Sequence, residues 1–124
     1  MSTYIDDLRS SAAVAAGQYP ETLLTSTNGP SVNLATGDGP CFAIQIVGEA
    51  PGDGTIDGRI EQSADSTTWS AISGATFTQL TGSNDIQVIR FHRSAKYVRW
   101  VGTLAGNSPA FAVAVLIGEQ KKTF

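Results

Sequence analysis

Residues 58–118 read GRIEQSADSTTWSAISGATFTQLTGSNDIQVIRFHRSAKYVRWVGTLAGNSPAFAVAVLIG, and their alternation decides the fold class. A strand puts successive side chains on opposite faces, so a hydrophobic period of two marks a strand with one buried face. Beginning just before this stretch, Ile56, Gly58 and Ile60 share one face while Asp57, Arg59 and Glu61 share the other. Ser63-Ala64-Asp65-Ser66-Thr67-Thr68 is a small-polar cluster able to bond its own backbone, which predicts a hairpin tip followed by a buried Trp69. After the turn Gly82-Ser83-Asn84-Asp85, the run Ile86-Gln87-Val88-Ile89-Arg90-Phe91 is apolar on both faces, the composition of a central strand. Further on, Val98, Trp100 and Leu104 fall on one side of a strand and Tyr97, Arg99 and Thr103 on the other. Phe111, Val113, Val115 and Ile117 then alternate with Ala110, Ala112 and Ala114, and such an alanine face predicts another strand or sheet packed close above it.

The amino-terminal half is less regular. Ile5, Leu8 and Ala12 give residues 5–16 a thin apolar stripe, enough for a short helix ended by Gly17 that belongs to an arm ordered mainly by a partner. Thr22-Leu23-Leu24-Thr25-Ser26-Thr27 reads as a first strand, Asn28-Gly29-Pro30 as a turn, and Ser31-Val32-Asn33-Leu34-Ala35 as a strand with Val32 and Leu34 inward. Gly37-Asp38-Gly39-Pro40 breaks the chain before Cys41-Phe42-Ala43-Ile44-Gln45-Ile46-Val47, the most hydrophobic strand of this half. The pattern predicts an all-β protein: one antiparallel β-sandwich, jelly-roll-like, over residues 20–124, with an N-terminal arm over residues 1–19.

Composition narrows the function classes. At 124 residues the chain is one domain, long enough to stand without metal or disulfide, and the single Cys41 leaves no intrachain bridge. No apolar run approaches the roughly 20 residues that span a bilayer, and the start lacks a signal-peptide pattern, so cytoplasmic synthesis and no membrane partner are expected. A net charge of −3 argues against nucleic acid, which needs clustered Lys and Arg.

Catalytic constellations are scarce. His92 is the only histidine and no Gly-x-Ser-x-Gly elbow accompanies it, so it reads as a polar residue on an outer strand face rather than a catalytic base. Cys41 reads as a small buried residue. Asp38, Asp53 and Asp57 are loop acids that calcium could use, but their spacing matches no calcium loop and turn chemistry accounts for each. Asp6 and Asp7 cap or solubilise the arm. The expectation is no enzyme, no metal and no cofactor. Trp69, Tyr97 and Trp100 separate two binding classes: exposed together they would stack on a sugar ring, whereas their alternation with Ile72 and Val98 turns both tryptophans into the core.

The ordered set Thr27-Asn28-Gly29, Val32-Asn33-Leu34, residues 60–72 (IEQSADSTTWSAI), Ser94-Ala95-Lys96-Tyr97-Val98-Arg99 and a closing Ala-Val-Ala-Val-Leu-Ile-Gly strand resembles a family of small structural proteins of tailed bacteriophages. The resemblance runs from Asp7 to Gly118; the loop expected at Ile72-Ser73-Gly74-Ala75-Thr76 is shorter than the family's usual insertion. It implies a virion protein, a capsid decoration (cement) protein bound to the outside of the assembled head, with the major capsid protein as partner and a homo-oligomer, a trimer, as the working form. Head-fibre, connector and tail roles lie within the same resemblance. The Ser-x-Asp hairpin and Lys-Tyr-Val-Arg strand are similar to discoidin-type sugar-binding sandwiches too, which keeps a carbohydrate-binding module as the alternative. The residues expected to touch the partner are Tyr4, Ile5, Leu8, Arg9 and Tyr19 of the arm and the basic group Arg90, Arg93, Lys96 and Arg99, for which a solvated strand face is the competing reading.

Overall fold

The computed structural model describes residues 11–34 and 40–120. The described strands are β1 (Ser11–Leu23), β2 (Thr27–Asn28), β3 (Val32–Asn33), β4 (Cys41–Val47), β5 (Thr55–Ser63), β6 (Ser70–Thr76), β7 (Asp85–Phe91), β8 (Tyr97–Ala105) and β9 (Phe111–Gln120). Their pairing is nested: β1 with β9, β2 and β3 with β8, β4 with β7, β5 with β6, all antiparallel. The chain thus runs out and back as one long hairpin. That hairpin curls on itself when β9 adds to β4 and β8 adds to β5. The result is sheet A, ordered β1-β9-β4-β7, and sheet B, ordered β2-β8-β5-β6 with β3 also on β8. This is the strand order of a jelly roll, the two-sheet form of the expected sandwich.

The core lies between the sheets. Sheet A contributes Cys41, Ala43 and Val47 from β4 and Phe111, Val113, Val115 and Ile117 from β9; sheet B contributes Ile56, Ile60, Ile72, Val98 and Trp100. At its centre the Trp100 indole Nε1 donates to Gln45 Oε1 at 3.0 Å, a hydrogen bond that joins the two sheets. Gly58 and Gly102 stand directly opposite each other in the β5–β8 pair. A Cβ at Gly102 would lie 2.2 Å from the indole, and one at Gly58 would lie 2.0 Å from Gln45 Oε1. Paired glycines therefore form the notch that seats the Trp100–Gln45 contact.

Several expectations are corrected. Residues 11–16 extend as part of β1 rather than forming a helix, while residues 5–10 of that stretch lie outside the described residues. β1 is tied to the body: a Cβ at Gly17 would strike Ile117 at 2.7 Å, and Gly29 packs onto the Gly17 carbonyl. An alanine-rich segment with a thin apolar stripe makes a poor isolated helix, and the open edge of β9 offers it a full set of backbone partners. β7 is an edge strand, not a central one. Residues 72–76 are strand, not loop: Arg59 pairs with Thr76 and Glu61 with Ala71, so Ile72, Ser73, Gly74 and Ala75 bulge opposite Ile60. Thr27-Asn28 pairs with β8 before the chain turns at Gly29-Pro30. Trp69 is half-buried on the outside of sheet B, not in the core. The Ser63–Asp65 tip behaves as read, with Asp65 Oδ1 accepting from the Thr67 and Thr68 amides at 2.9 Å each.

The notch makes a direct prediction. Gly58→Ala is expected to lower unfolding free energy by about 2 kcal/mol through overpacking against Gln45 and Trp100. Gly82→Ala, which meets nothing within 4 Å, is expected to change it by less than about 0.5 kcal/mol. Urea unfolding of the two variants beside the wild type measures the difference.

Candidate partner-binding surface

The expected basic group is dispersed. Arg90 is exposed on the outer side of sheet A, opposite Phe42. Arg99 lies on the outer side of sheet B, its guanidinium 4.5 Å from the centre of the Trp69 ring. Lys96 is exposed, with its ammonium 5.1 Å from the Tyr97 ring centre. Arg93 points inward. The structure therefore does not bring Arg90, Arg93, Lys96 and Arg99 together as one patch. Tyr4, Ile5, Leu8 and Arg9 lie outside the described residues, and Tyr19 is 65% exposed on β1.

Arg93 closes a buried polar cluster. Its Nε and Nη2 donate to the two carboxylate oxygens of Glu119 at 2.6 and 3.0 Å, Nη2 also donates to the Leu34 carbonyl at 2.7 Å, and Nη1 donates to the Ala95 carbonyl at 3.0 Å. The Cys41 thiol donates to Glu119 Oε2 at 3.2 Å. Burial first, then this carboxylate, pushes the Cys41 thiol up to about 12, so it stays protonated and inert. The cluster pins the end of β9 to the segments after β3 and β7, and all its hydrogen bonds are internal.

On sheet B the outer face is wet and paired. Glu61 accepts from Arg99 Nε and Nη2 at 3.0 and 2.8 Å on one oxygen and from Arg59 Nε at 3.1 Å on the other, while Arg59 Nη1 reaches Thr103 at 3.2 Å. Burial alone would raise the Glu61 carboxyl, but the hydrogen bonds from Arg99 and Arg59 outweigh it and hold the group below its ordinary value. Of the three aromatics expected to form a sugar platform if exposed together, Trp100 is fully buried, while Arg99 lies over Trp69 and Lys96 over Tyr97. Asp53 accepts from the Ser108 amide in its loop, whereas Asp57 lies within β5, paired with Thr103, and accepts from Gln79, so it is not the loop acid expected; Asp38 lies outside the described residues. Among the described residues no three His, Cys, Asp or Glu side chains gather as a metal site. His92 is exposed just beyond β7.

Sheet A differs. Residues directly opposite in an antiparallel pair share a face, so the register lays out its outer side row by row. Ile86, Ile46 and Ala114 stand side by side, and the bulge at Tyr19 and Pro20 sits opposite Ala114. The next row is Val88, Ile44, Leu116 and Ala16, and the one beyond is Arg90, Phe42 and Gly118. Antiparallel sheets in sandwiches ordinarily keep a polar outer face; across these rows Arg90 is the sole charge. Phe42 and Ile44 are buried, whereas Ile46 is 36% and Ile86 54% exposed, so the open part is the first row. A groove of about 230 Å³ lies there, lined by Pro20, Thr22, Ile46, Ala112 and Ala114 among others.

The sequence points to none of Ile46, Ile86, Ala112 and Ala114 as a contact residue; Ala112 and Ala114 stand in it only as a face expected under another layer. The signal lies in the two-sided apolarity of residues 41–47 and 86–91 and in the alanine alternation, which together mark one sheet apolar on both sides rather than a central strand with a layer above it. Compared with protein-family models, curated proteins and solved structures, the chain has no significant match.

The polar clusters set three expectations. Arg93→Met, which strands the Glu119 carboxylate in the interior, is expected to cost about 3–5 kcal/mol in urea unfolding, and in the folded wild type Cys41 is expected to resist iodoacetamide at pH 8 until urea exposes it. For Glu61, the folded pKa lies below the unfolded value, so its stabilisation is complete above the ordinary carboxyl value of 4.5 and is lost as pH falls through the lowered folded one. The stability gap between wild type and Glu61→Gln should therefore be constant near neutrality and close on acidification below 4.5; a gap independent of pH would contradict the ion-pair account.

Proposed function

We propose that this chain is a virion structural protein of a tailed bacteriophage, a capsid decoration protein that binds the outer surface of the assembled head through the major capsid protein. The observation that carries the reading is the outer side of sheet A: a small jelly roll whose outer face holds an open apolar row at Ile46, Ile86 and Ala114 offers that row to another protein. The jelly roll recurs in viral shell and lectin domains, and on its own a fold does not decide between them. The resemblance of residues 7–118 to phage structural proteins favours the first. Against the second stand the burial of Trp100 and the cations seated on Trp69 and Tyr97, which occupy the three rings that would stack on a sugar. A homotrimer fits this role, since a closed ring makes many weak shell contacts multivalent.

Purified protein mixed with undecorated heads is expected to co-sediment saturably, at a copy number fixed by the shell's symmetry, and to raise the temperature at which heads release DNA. Absence of co-sedimentation together with saturable binding on a glycan array would replace this reading with the carbohydrate-binding one.

A further inference from the structure

We infer that the open row on the outer face of sheet A, from the Tyr19–Pro20 bulge to Ile86, is a docking groove for an extended apolar segment of another protein that carries Lys or Arg at its flanks. The apolar half of this specification comes from the row itself: Pro20, Ala114, Ile46 and Ile86 lie across four adjacent strands. Three interstrand steps of about 4.8 Å make the row roughly 14 Å long, the span of four to five extended residues.

The basic half comes from the charges around it. β1, β4 and β9 contain no Lys or Arg. Glu21 lines the groove, where it accepts from Gln18 Nε2 at 2.8 Å, and Glu49 is exposed one residue beyond Gly48 of the lining. Asp85, beside Ile86 in the chain, pairs with Val47 and so lies on the inner face of the sheet, away from the groove. The only described cation on this face, Arg90, lies four residues along β7 from Ile86, about 13 Å away. An apolar strip bordered by two acids, Glu21 and Glu49, and by no nearby cation favours a partner whose apolar residues are flanked by positive charge. A second copy of the same face is disfavoured by the same count, because stacking two copies would bring acidic rims together.

This inference deepens the decoration reading, for which the segment would belong to the shell protein, but its test contains no shell, so the two can fail separately. The probes are a nine-residue peptide alternating valine and serine between paired lysines, and the same peptide with glutamates replacing the lysines. Titrated into the full chain by calorimetry and amide-resolved NMR, the lysine peptide is expected to bind at least about tenfold more tightly than the glutamate peptide. The amide shifts should centre on Tyr19, Glu21, Ile46, Ala114 and Ile86. In the Glu21→Lys, Glu49→Lys double variant, both sites being exposed, the preference should reverse. Equal affinity for the two peptides, no binding of either, or shifts centred on sheet B would overturn the inference. So would concentration-dependent self-association of the free chain at these same amides, which would assign the face to a second copy.

Discussion

The fold is organised around the seat of Trp100. Gly58 and Gly102, facing each other across β5 and β8, remove the side chains that would otherwise fill the middle of sheet B. The indole occupies that space and sends its one donor across the core to Gln45 on β4. A hydrogen bond between the centres of two sheets fixes their relative position in a way that apolar packing, which is non-directional, does not. The arrangement carries a cost, since Gln45 Nε2 is buried without a partner among the described residues. Such a cost is tolerable because the surrounding layer of Ile56, Ile60, Val98, Val113 and Val115 excludes water and holds both groups in place.

What the sequence reveals and what it conceals separate along physical lines. Period-two alternation located β5, β8 and β9 and placed Trp100, Val98 and Ile60 inside, because a half-wet strand writes its orientation directly into its residues. The same rule misplaced β7: Ile86 to Phe91 is apolar on both faces, which ordinarily means a central position, but here one apolar face belongs to the core and the other to an exposed surface. Trp69 was misread because an arginine two strands away, Arg99, can cover it as well as a core can, and cross-strand partners are not visible in a linear reading. Ser11 to Gly17 was misread because alanine and glycine carry little pattern of either period; only the unpaired edge of β9 makes that segment a strand.

The contrast between the outer faces links the fold to its proposed role. Sheet B fills its outer positions with a Glu61, Arg59, Arg99 and Trp69 lattice whose charges pair with one another. Sheet A spends its outer positions on Phe42, Ile44, Ile46, Ala112, Ala114 and Leu116, which gain nothing from water. The residues of the basic group are dispersed over both faces or turned inward, as Arg93 is toward Glu119, so they form no single patch, and the proposed recognition rests on the open apolar row of sheet A. A decoration protein added to a finished shell would benefit from such a division, one face finished and stable in water and the other completed by the partner.

If the proposed role is right, sheet A faces the shell, and electron cryomicroscopy of the proposed host particle decides it. Density for the jelly roll is expected at symmetry-related sites on the head, with the outer face of sheet A against the shell and sheet B toward solvent. A particle lacking the chain, or one in which sheet A faces solvent while sheet B makes the contact, would contradict it.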